Sequence, residues 1–256
     1  MKNYVLGAAG ALGMFLAVAA AVDAQAPGDR QSLEKAAATN TQLGLEYMRQ
    51  GNLEAARDKI EKAVRQNPHT AETQMAAGFL YDRLGDQRKA LSHYEEAAKL
   101  GKDNPDVLNN VAVYLCRNGD RKRGEQYFLK AVASPLYKTP AVGYTNAGRC
   151  ARADGRAKDA EQYFRKALSL NADQADALLQ MAQLGHEGGT DLQARAFLQR
   201  YLAVAPATAE ALWLGYGIER SMGDIGQAGE YARRLKVEFA RSEETELLLK
   251  QESGRP

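Results

Sequence analysis

The chain has 256 residues, 26% of them charged, and its formal net charge at pH 7 is +2. Neither sign of charge dominates, so composition gives no reason to expect nucleic acid as a partner. The length is sufficient for one solenoid of several stacked helical repeats.

The first 24 residues have the pattern of a secretory signal peptide. Lys2 supplies a short positive region, residues 5–22 are apolar, and Val22-Asp23-Ala24 fits a signal-peptidase site. The alternative is a retained N-terminal anchor, because residues 4–22 are long enough to cross a bilayer. Both interpretations predict that the rest of the chain is exported, and we expect a polar linker over residues 25–36.

Six glycines recur at almost constant spacing through the rest of the chain. Their separations are 34, 34, 36, 34 and 34 residues, and the extra two residues fall in a short insertion, 133–140. A period of 34 with a helix–turn–helix pattern is typical of tetratricopeptide repeats. Each glycine can adopt the left-handed backbone conformation that ends a first helix. These turn glycines are Gly51, Gly85, Gly119, Gly155, Gly189 and Gly223.

Small and large residues keep a fixed distance from these turn glycines. Close approach of two helices needs a small residue on one and a bulky residue on the other. Seven positions before the turn glycine stand Gly44, Gly78, Ala112, Gly148 and Ala182, with Tyr216 as the exception. Nine positions after it stand Ile60, Tyr94, Phe128, Phe164 and Leu198, with Ala232 as the exception.

The predicted fold is therefore all-α: a right-handed superhelical solenoid of six tetratricopeptide helix hairpins with a C-terminal capping helix. One hairpin cannot bury its own apolar face, so neighbouring hairpins must stack. We expect residues 242–256 to form the capping helix and tail, with Leu247, Leu248 and Leu249 covering the last repeat. The predicted repeats are 37–70, 71–104, 105–140, 141–174, 175–208 and 209–241.

Cys116 and Cys150 are the only two cysteines, and both lie late in first helices of adjacent repeats. First helices of adjacent repeats lie side by side, and export places the pair in an oxidising compartment. We predict a disulfide between them; the alternative is two buried free thiols.

The sequence offers no recognisable catalytic or metal centre, so we expect neither an enzyme nor a bound metal, cofactor or small-molecule substrate. Two cysteines without a neighbouring histidine provide too few metal ligands. His69, His93 and His186 fall in different repeats without ligand-like partners, and we expect them at surface or turn positions. Neither a phosphate-binding glycine loop nor a nucleophile elbow is present.

In this fold the first helices line the concave face, which predicts where a protein partner binds. The N-terminal end of that face is apolar and contains methionine, which adapts to irregular apolar partners. We expect a slot for a peptide or helix, although some of these side chains could instead pack against the linker or neighbouring helices. Trp213 also falls at a concave position, or in the core under the last helix. The predicted groove residues are Leu45, Met48, Met75, Phe79, Asn109, Arg117, Arg149 and Arg152.

Several sequence segments are more specific than the general repeat pattern. NNVAVYLCRNGD, EQYFLKAVASPLYKTP, YTNAGRCARADG and FARSEETELLL resemble the type IV pilus biogenesis and stability family of PilW/PilF type. The resemblance covers about residues 38–250. It implies a protein with six repeats in the periplasm of a Gram-negative bacterium, associated with the outer membrane. It also implies a cysteine pair that bonds across neighbouring repeats.

Members of that family act as pilotins or stability factors, which help the pilus secretin to localise and assemble in the outer membrane. The resemblance therefore implies pilus assembly proteins, the secretin above all, as partners, and a role in twitching motility. Members commonly carry an acylated cysteine after the signal peptide, whereas no cysteine precedes Cys116 here. Outer-membrane association would then run through the partner rather than a lipid. A general periplasmic adaptor of another envelope or polysaccharide export system is the alternative.

Overall fold

The structure, a computed structural model, describes residues 27–253; the predicted signal peptide, residues 25–26 and the last three residues lie outside this range. Within it the chain forms thirteen α-helices and no strand. The first six helices are α1 Pro27–Arg49, α2 Leu53–Gln66, α3 Ala71–Arg83, α4 Gln87–Leu100, α5 Pro105–Arg117 and α6 Arg121–Val132. The others are α7 Pro140–Ala153, α8 Ala157–Leu170, α9 Ala175–Glu187, α10 Asp191–Val204, α11 Ala209–Ser221, α12 Ile225–Glu238 and α13 Glu243–Glu252.

The first twelve helices pair in sequence order into six hairpins, from α1/α2 to α11/α12. The second helix of each hairpin packs on the first helix of the next, and first helices of adjacent hairpins also touch. Helix α13 packs on α11 and α12 and closes the stack. The predicted tetratricopeptide solenoid with its capping helix is confirmed.

The turn inside each hairpin follows from its glycine and from the residue that begins the second helix. All six turn glycines are left-handed, with φ between 72° (Gly189) and 92° (Gly119), a region that costs a residue with a side chain free energy. In four hairpins a polar side chain then accepts a hydrogen bond from the backbone N–H three residues later. These capping residues are Asn52, Asp86, Asp120 and Asp224.

Each hairpin is closed where a small residue of the first helix faces a large residue of the second. A Cβ atom added to Gly44 would lie 2.4 Å from Ile60 Cγ1, and one added to Gly148 would lie 2.5 Å from Phe164 Cε1. Both large side chains are fully buried. The glycines are therefore required because the partner side chain occupies the space of a Cβ atom.

The last repeat keeps the same contact one residue earlier, which explains the exception at Tyr216. A Cβ atom added to Gly215 would lie 2.7 Å from Tyr231 Cε1. Gly215 and Tyr231 are 16 residues apart, as are Gly148 and Phe164. Ala232 is consequently free to be small, since its neighbour supplies the bulk.

Two expectations at the ends of the chain are wrong. Helix α1 begins at Pro27, so residues 27–36 are helical rather than a linker. Proline suits the first helical position, Asp29 suits the first turn, and Arg30 pairs with Glu34 one turn later at 3.2 Å. Of the three leucines in α13 only Leu248 is buried, while its neighbours on both sides are exposed, because three consecutive helical residues cannot share one face.

Alanine substitution distinguishes a glycine that the packing requires from a glycine with open space around it. We expect Gly148→Ala to lower the free energy of unfolding by about 1–2 kcal/mol, because the rigid Phe164 ring must move and the overpacking outweighs the better helix propensity. Gly229→Ala is the matched control: its Cβ would meet nothing within 4 Å, so it should stabilise by about 0.5–1 kcal/mol. Urea unfolding measures both, and equal shifts would contradict the packing account.

Candidate functional site

A groove of about 980 Å³ opens at the N-terminal end of the face formed by the first helices. Its walls come from three consecutive first helices, α1, α3 and α5, and one side chain of α4 completes its floor. We call it the N-terminal groove. Its lining residues are Thr39, Gln42, Leu43, Leu45, Glu46, Met48, Arg49, Phe79, Asp82, Arg83, Tyr94, Asn110, Val113, Tyr114 and Arg117.

The floor of the N-terminal groove is a run of three aromatic rings. Phe79 stands edge-on to Tyr94, with ring centroids 5.7 Å apart and planes at 84°. Tyr94 stacks on Tyr114 at 4.2 Å, and burial raises the pKa of both phenols. The Tyr114 hydroxyl donates to the Gln87 carbonyl oxygen at 3.1 Å. The two tyrosine rings are buried within the protein and support Phe79, the exposed ring of the three, which gives a partner a preformed apolar contact.

Three apolar side chains of the N-terminal groove remain open to solvent. Leu43 is 43% exposed, Phe79 37% and Val113 39%. One stands on each of the three first helices, so the apolar surface crosses the hairpins instead of following one helix. Exposed apolar groups gathered in a concave site mark a place where another protein binds.

The charged rim of the N-terminal groove is more positive than negative. Arg49, Arg83 and Arg117 occupy the same position in three successive repeats, against two acidic lining residues. Arg49 pairs with Glu46, and Arg117 pairs with Asp82. Within residues 27–253 Arg83 is exposed and makes no ion pair. An acidic group on a bound segment would therefore find a positive partner on α3, the middle of the three first helices.

The structure brings together half of the residues predicted for this site. Leu45, Met48, Phe79 and Arg117 line the N-terminal groove. Met75 does not: it is 7% exposed and lies in the core between α3 and α5.

The other three predicted residues lie further along the first helices. Asn109 accepts a hydrogen bond from Asn146 Nδ2 at 3.2 Å, which joins α5 to α7. Arg152 donates to Gln180 at 2.9 Å and to Gln183 at 2.6 Å, and also pairs with Glu187. Arg149 is exposed on α7. None of the three is among the lining residues of the groove.

Sequence reasoning missed Leu43, Tyr94 and Tyr114. Tyr94 belongs to a second helix, and such helices are expected on the outer face. It reaches the groove because a Cβ atom at Gly78 would lie 3.0 Å from its ring, so the missing side chain lets the ring pass. The 16-residue spacing between Gly78 and Tyr94 was the available signal.

A disulfide joins Cys116 of α5 to Cys150 of α7, with Cα atoms 5.7 Å apart. Cys116 is half-buried and Cys150 is buried in the core. The bond links the last helix of the N-terminal groove to the following repeat. It therefore fixes the position of the groove relative to the C-terminal half of the solenoid.

Two of the histidines are more buried than a surface or turn position implies. His93 stacks on Tyr81 at 5.4 Å, and its Nδ1 lies 2.7 Å from Gln74 Oε1. Burial lowers the pKa of His93. His186 Nδ1 lies 2.5 Å from Asp191 Oδ1. Among residues 27–253 no cluster of three or more His, Cys, Asp or Glu side chains has the arrangement of a metal site.

Within the described range no helix combines the length and apolar composition needed to cross a bilayer.

Comparison with known proteins agrees with this architecture. The tetratricopeptide repeat family matches residues 41–105 and 141–174. The type IV pilus assembly protein PilF of Pseudomonas aeruginosa is 27% identical over 195 residues, which cover 76% of this chain and 77% of PilF. Two solved structures are also similar over most of the chain.

The crystal structure of PilW, a widely conserved type IV pilus biogenesis factor, matches with a TM-score of 0.76 and 28% identity. The alignment covers 83% of this chain and 98% of PilW. The structure of Pseudomonas aeruginosa PilF matches with a TM-score of 0.73 and 25% identity, over 86% of this chain and 99% of PilF. The stacked helical hairpins, the left-handed turn glycines and the repeat matches define a tetratricopeptide-repeat protein. The chain is homologous to PilF and shares the structure of PilW and PilF.

Removal of the disulfide should destabilise the solenoid. The bond closes a loop with a sequence separation of 34, and loop entropy assigns it about 3–4 kcal/mol. We expect Cys116→Ala/Cys150→Ala to lose about that amount in urea unfolding. Reductant should lower the stability of the natural chain only and leave the double variant unchanged. Two thiols that alkylate without reductant, detected by mass spectrometry, would contradict the bond.

Proposed function

We propose that this chain is a non-catalytic periplasmic scaffold of type IV pilus biogenesis, which binds a segment of the pilus secretin in the N-terminal groove. Binding would assist localisation and assembly of the secretin in the outer membrane, or its stability. The observation that carries the proposal is the preformed aromatic groove in a homologue of PilF and PilW.

The groove supports a protein segment as ligand rather than a substrate to be converted. Its exposed side chains Leu43, Phe79 and Val113 offer dispersion contacts and apolar surface to bury, which give affinity without bond-making. Its acidic lining residues, Glu46 and Asp82, are already paired with arginines. The groove is therefore equipped to hold a partner, and we assign it no reaction.

The expected ligand is an amphipathic segment with one acidic side chain. Its apolar face would cover the three exposed side chains Leu43, Phe79 and Val113, as a helix does in a hydrophobic groove. Its acidic side chain would meet Arg83. A few aromatic anchors dominate the free energy of such interfaces, so Phe79 is the residue whose loss should matter most.

Two features support a periplasmic location. Residues 1–24 have the signal-peptide pattern, and the Cys116–Cys150 disulfide persists in an oxidising compartment. Residues 1–24 carry no cysteine for acylation, so we propose that the secretin itself provides the association with the outer membrane.

The direct test is a deletion strain scored for multimeric secretin and for surface pili. Deletion should reduce both, and the natural chain should restore them. Phe79→Glu should fail to restore them because a carboxylate would be buried against aromatic rings under the partner. Leu129→Glu is the matched control: Leu129 is 39% exposed on α6, outside the groove, and should restore both.

Each outcome has one meaning provided that both variants fold, which circular dichroism and urea unfolding establish. Normal secretin multimers and pili in the deletion strain would refute the pilus role and favour a general adaptor of another export system. Restoration by Phe79→Glu would retain the pilus role and reject the groove as its site.

A further inference from the structure

A second cavity, of about 420 Å³, opens at the other end of the first-helix face. It lies between α9 and α11, with one side chain of α13 at its edge. We call it the C-terminal pocket, defined by His186, Trp213, Tyr216, Gly217, Arg220 and Gln251.

The C-terminal pocket exists because repeat six has a glycine where the other five repeats carry a longer side chain. Gly217 is the ninth residue of its repeat, the position held by Leu45, Phe79 and Val113 in the first three. A Cβ atom at Gly217 would lie 3.0 Å from His186 Nε2. The absent side chain therefore leaves room beside His186 and brings its Nε2 to the pocket.

The wall of the C-terminal pocket combines aromatic rings with a cation. Trp213 stacks on Tyr216, with ring centroids 5.4 Å apart. The Arg220 guanidinium lies 5.6 Å from the Tyr216 ring centroid and donates to the Tyr216 hydroxyl at 2.9 Å. Within residues 27–253 Arg220 is exposed and has no carboxylate partner. The ring thus positions a guanidinium whose remaining N–H donors are open to a ligand.

Asp191, which contacts the pocket residues His186 and Ser221, is already engaged. One of its oxygens lies 2.5 Å from His186 Nδ1, and the other accepts from Ser221 Oγ at 2.5 Å. Burial acts to raise the pKa of Asp191, but these two hydrogen bonds outweigh it, and the pKa is lowered. Asp191 therefore accepts a hydrogen bond from His186 Nδ1–H, and this contact holds the ring with Nε2 on the side of the pocket.

We propose that the C-terminal pocket binds an acidic segment of a partner protein, with its carboxylate on Arg220 and an adjacent apolar or aromatic side chain on Trp213. A polar backbone group of the same segment would form a hydrogen bond with His186 Nε2. The pocket has no acidic lining residue, so its charge is complementary to an acidic ligand. This site goes beyond the proposed function, because it shares no lining residue with the N-terminal groove.

Trp213 makes the proposal directly measurable, because it is the only tryptophan in the chain. The probe is an acetylated Phe-Asp-Phe peptide amide, titrated into the full chain while tryptophan fluorescence and the indole N–H resonance are followed. We expect saturable changes at Trp213 and about tenfold weaker binding of the Phe-Asn-Phe peptide, which lacks the charge.

Three variants test whether the change at Trp213 reports binding in the C-terminal pocket. Arg220→Gln should weaken the Asp peptide about tenfold and abolish the preference over the Asn peptide. Gly217→Ala should weaken both peptides because its methyl group fills the space beside His186. Arg88→Gln, an exposed arginine of α4 outside the pocket, should change nothing.

Two controls distinguish this pocket from the N-terminal groove, and a protein segment from a small acidic molecule as its ligand. Phe79→Glu should leave peptide binding at Trp213 unchanged, so failure of the N-terminal groove and failure of this pocket are distinguishable. N-acetyl-aspartate should bind far more weakly than the peptide; equal affinity would overturn the assignment to a protein segment. Equal affinity of the Asp and Asn peptides, or an unperturbed Trp213, would overturn the proposal as a whole.

Discussion

The contact between a small residue of the first helix and a large residue of the second determines both the stability of this solenoid and the shape of its binding face. At Gly78 the missing side chain lets the Tyr94 ring through to the first-helix face. Tyr94 then supports Phe79 on one side and Tyr114 on the other. The same close packing that holds a hairpin together thus builds the aromatic floor of the N-terminal groove.

The first-helix face is divided into parts of different chemistry. Its N-terminal end is apolar, with three exposed side chains over an aromatic floor. Its middle is a polar network, in which Arg152 bonds to Gln183 and Gln183 donates to Glu210 at 2.5 Å. Those polar groups satisfy one another and have little to offer a ligand. The disulfide lies where the two parts meet. It fixes the distance between them, so a partner that contacts both parts binds at a constant separation.

Periodicity predicted the hairpins, because a left-handed turn glycine and a small–large contact recur in every unit. It could not predict the groove fully. Met75 has the phase of a concave residue, but its side chain fills the gap between α3 and α5. Arg152 has that phase too, yet Glu187, 35 residues later, neutralises it. Helical phase gives the direction of a side chain, whereas its neighbours in the next repeat decide whether a partner can reach it.

The central claim is that this protein works by holding a partner segment against Phe79. The most direct measurement places a photo-crosslinking p-benzoylphenylalanine at position 79 or, as control, at position 129 in living cells, and identifies the adducts by mass spectrometry. The account predicts an adduct with the pilus secretin from position 79 and none from position 129. No secretin adduct at position 79, or equal adducts at both, would contradict it.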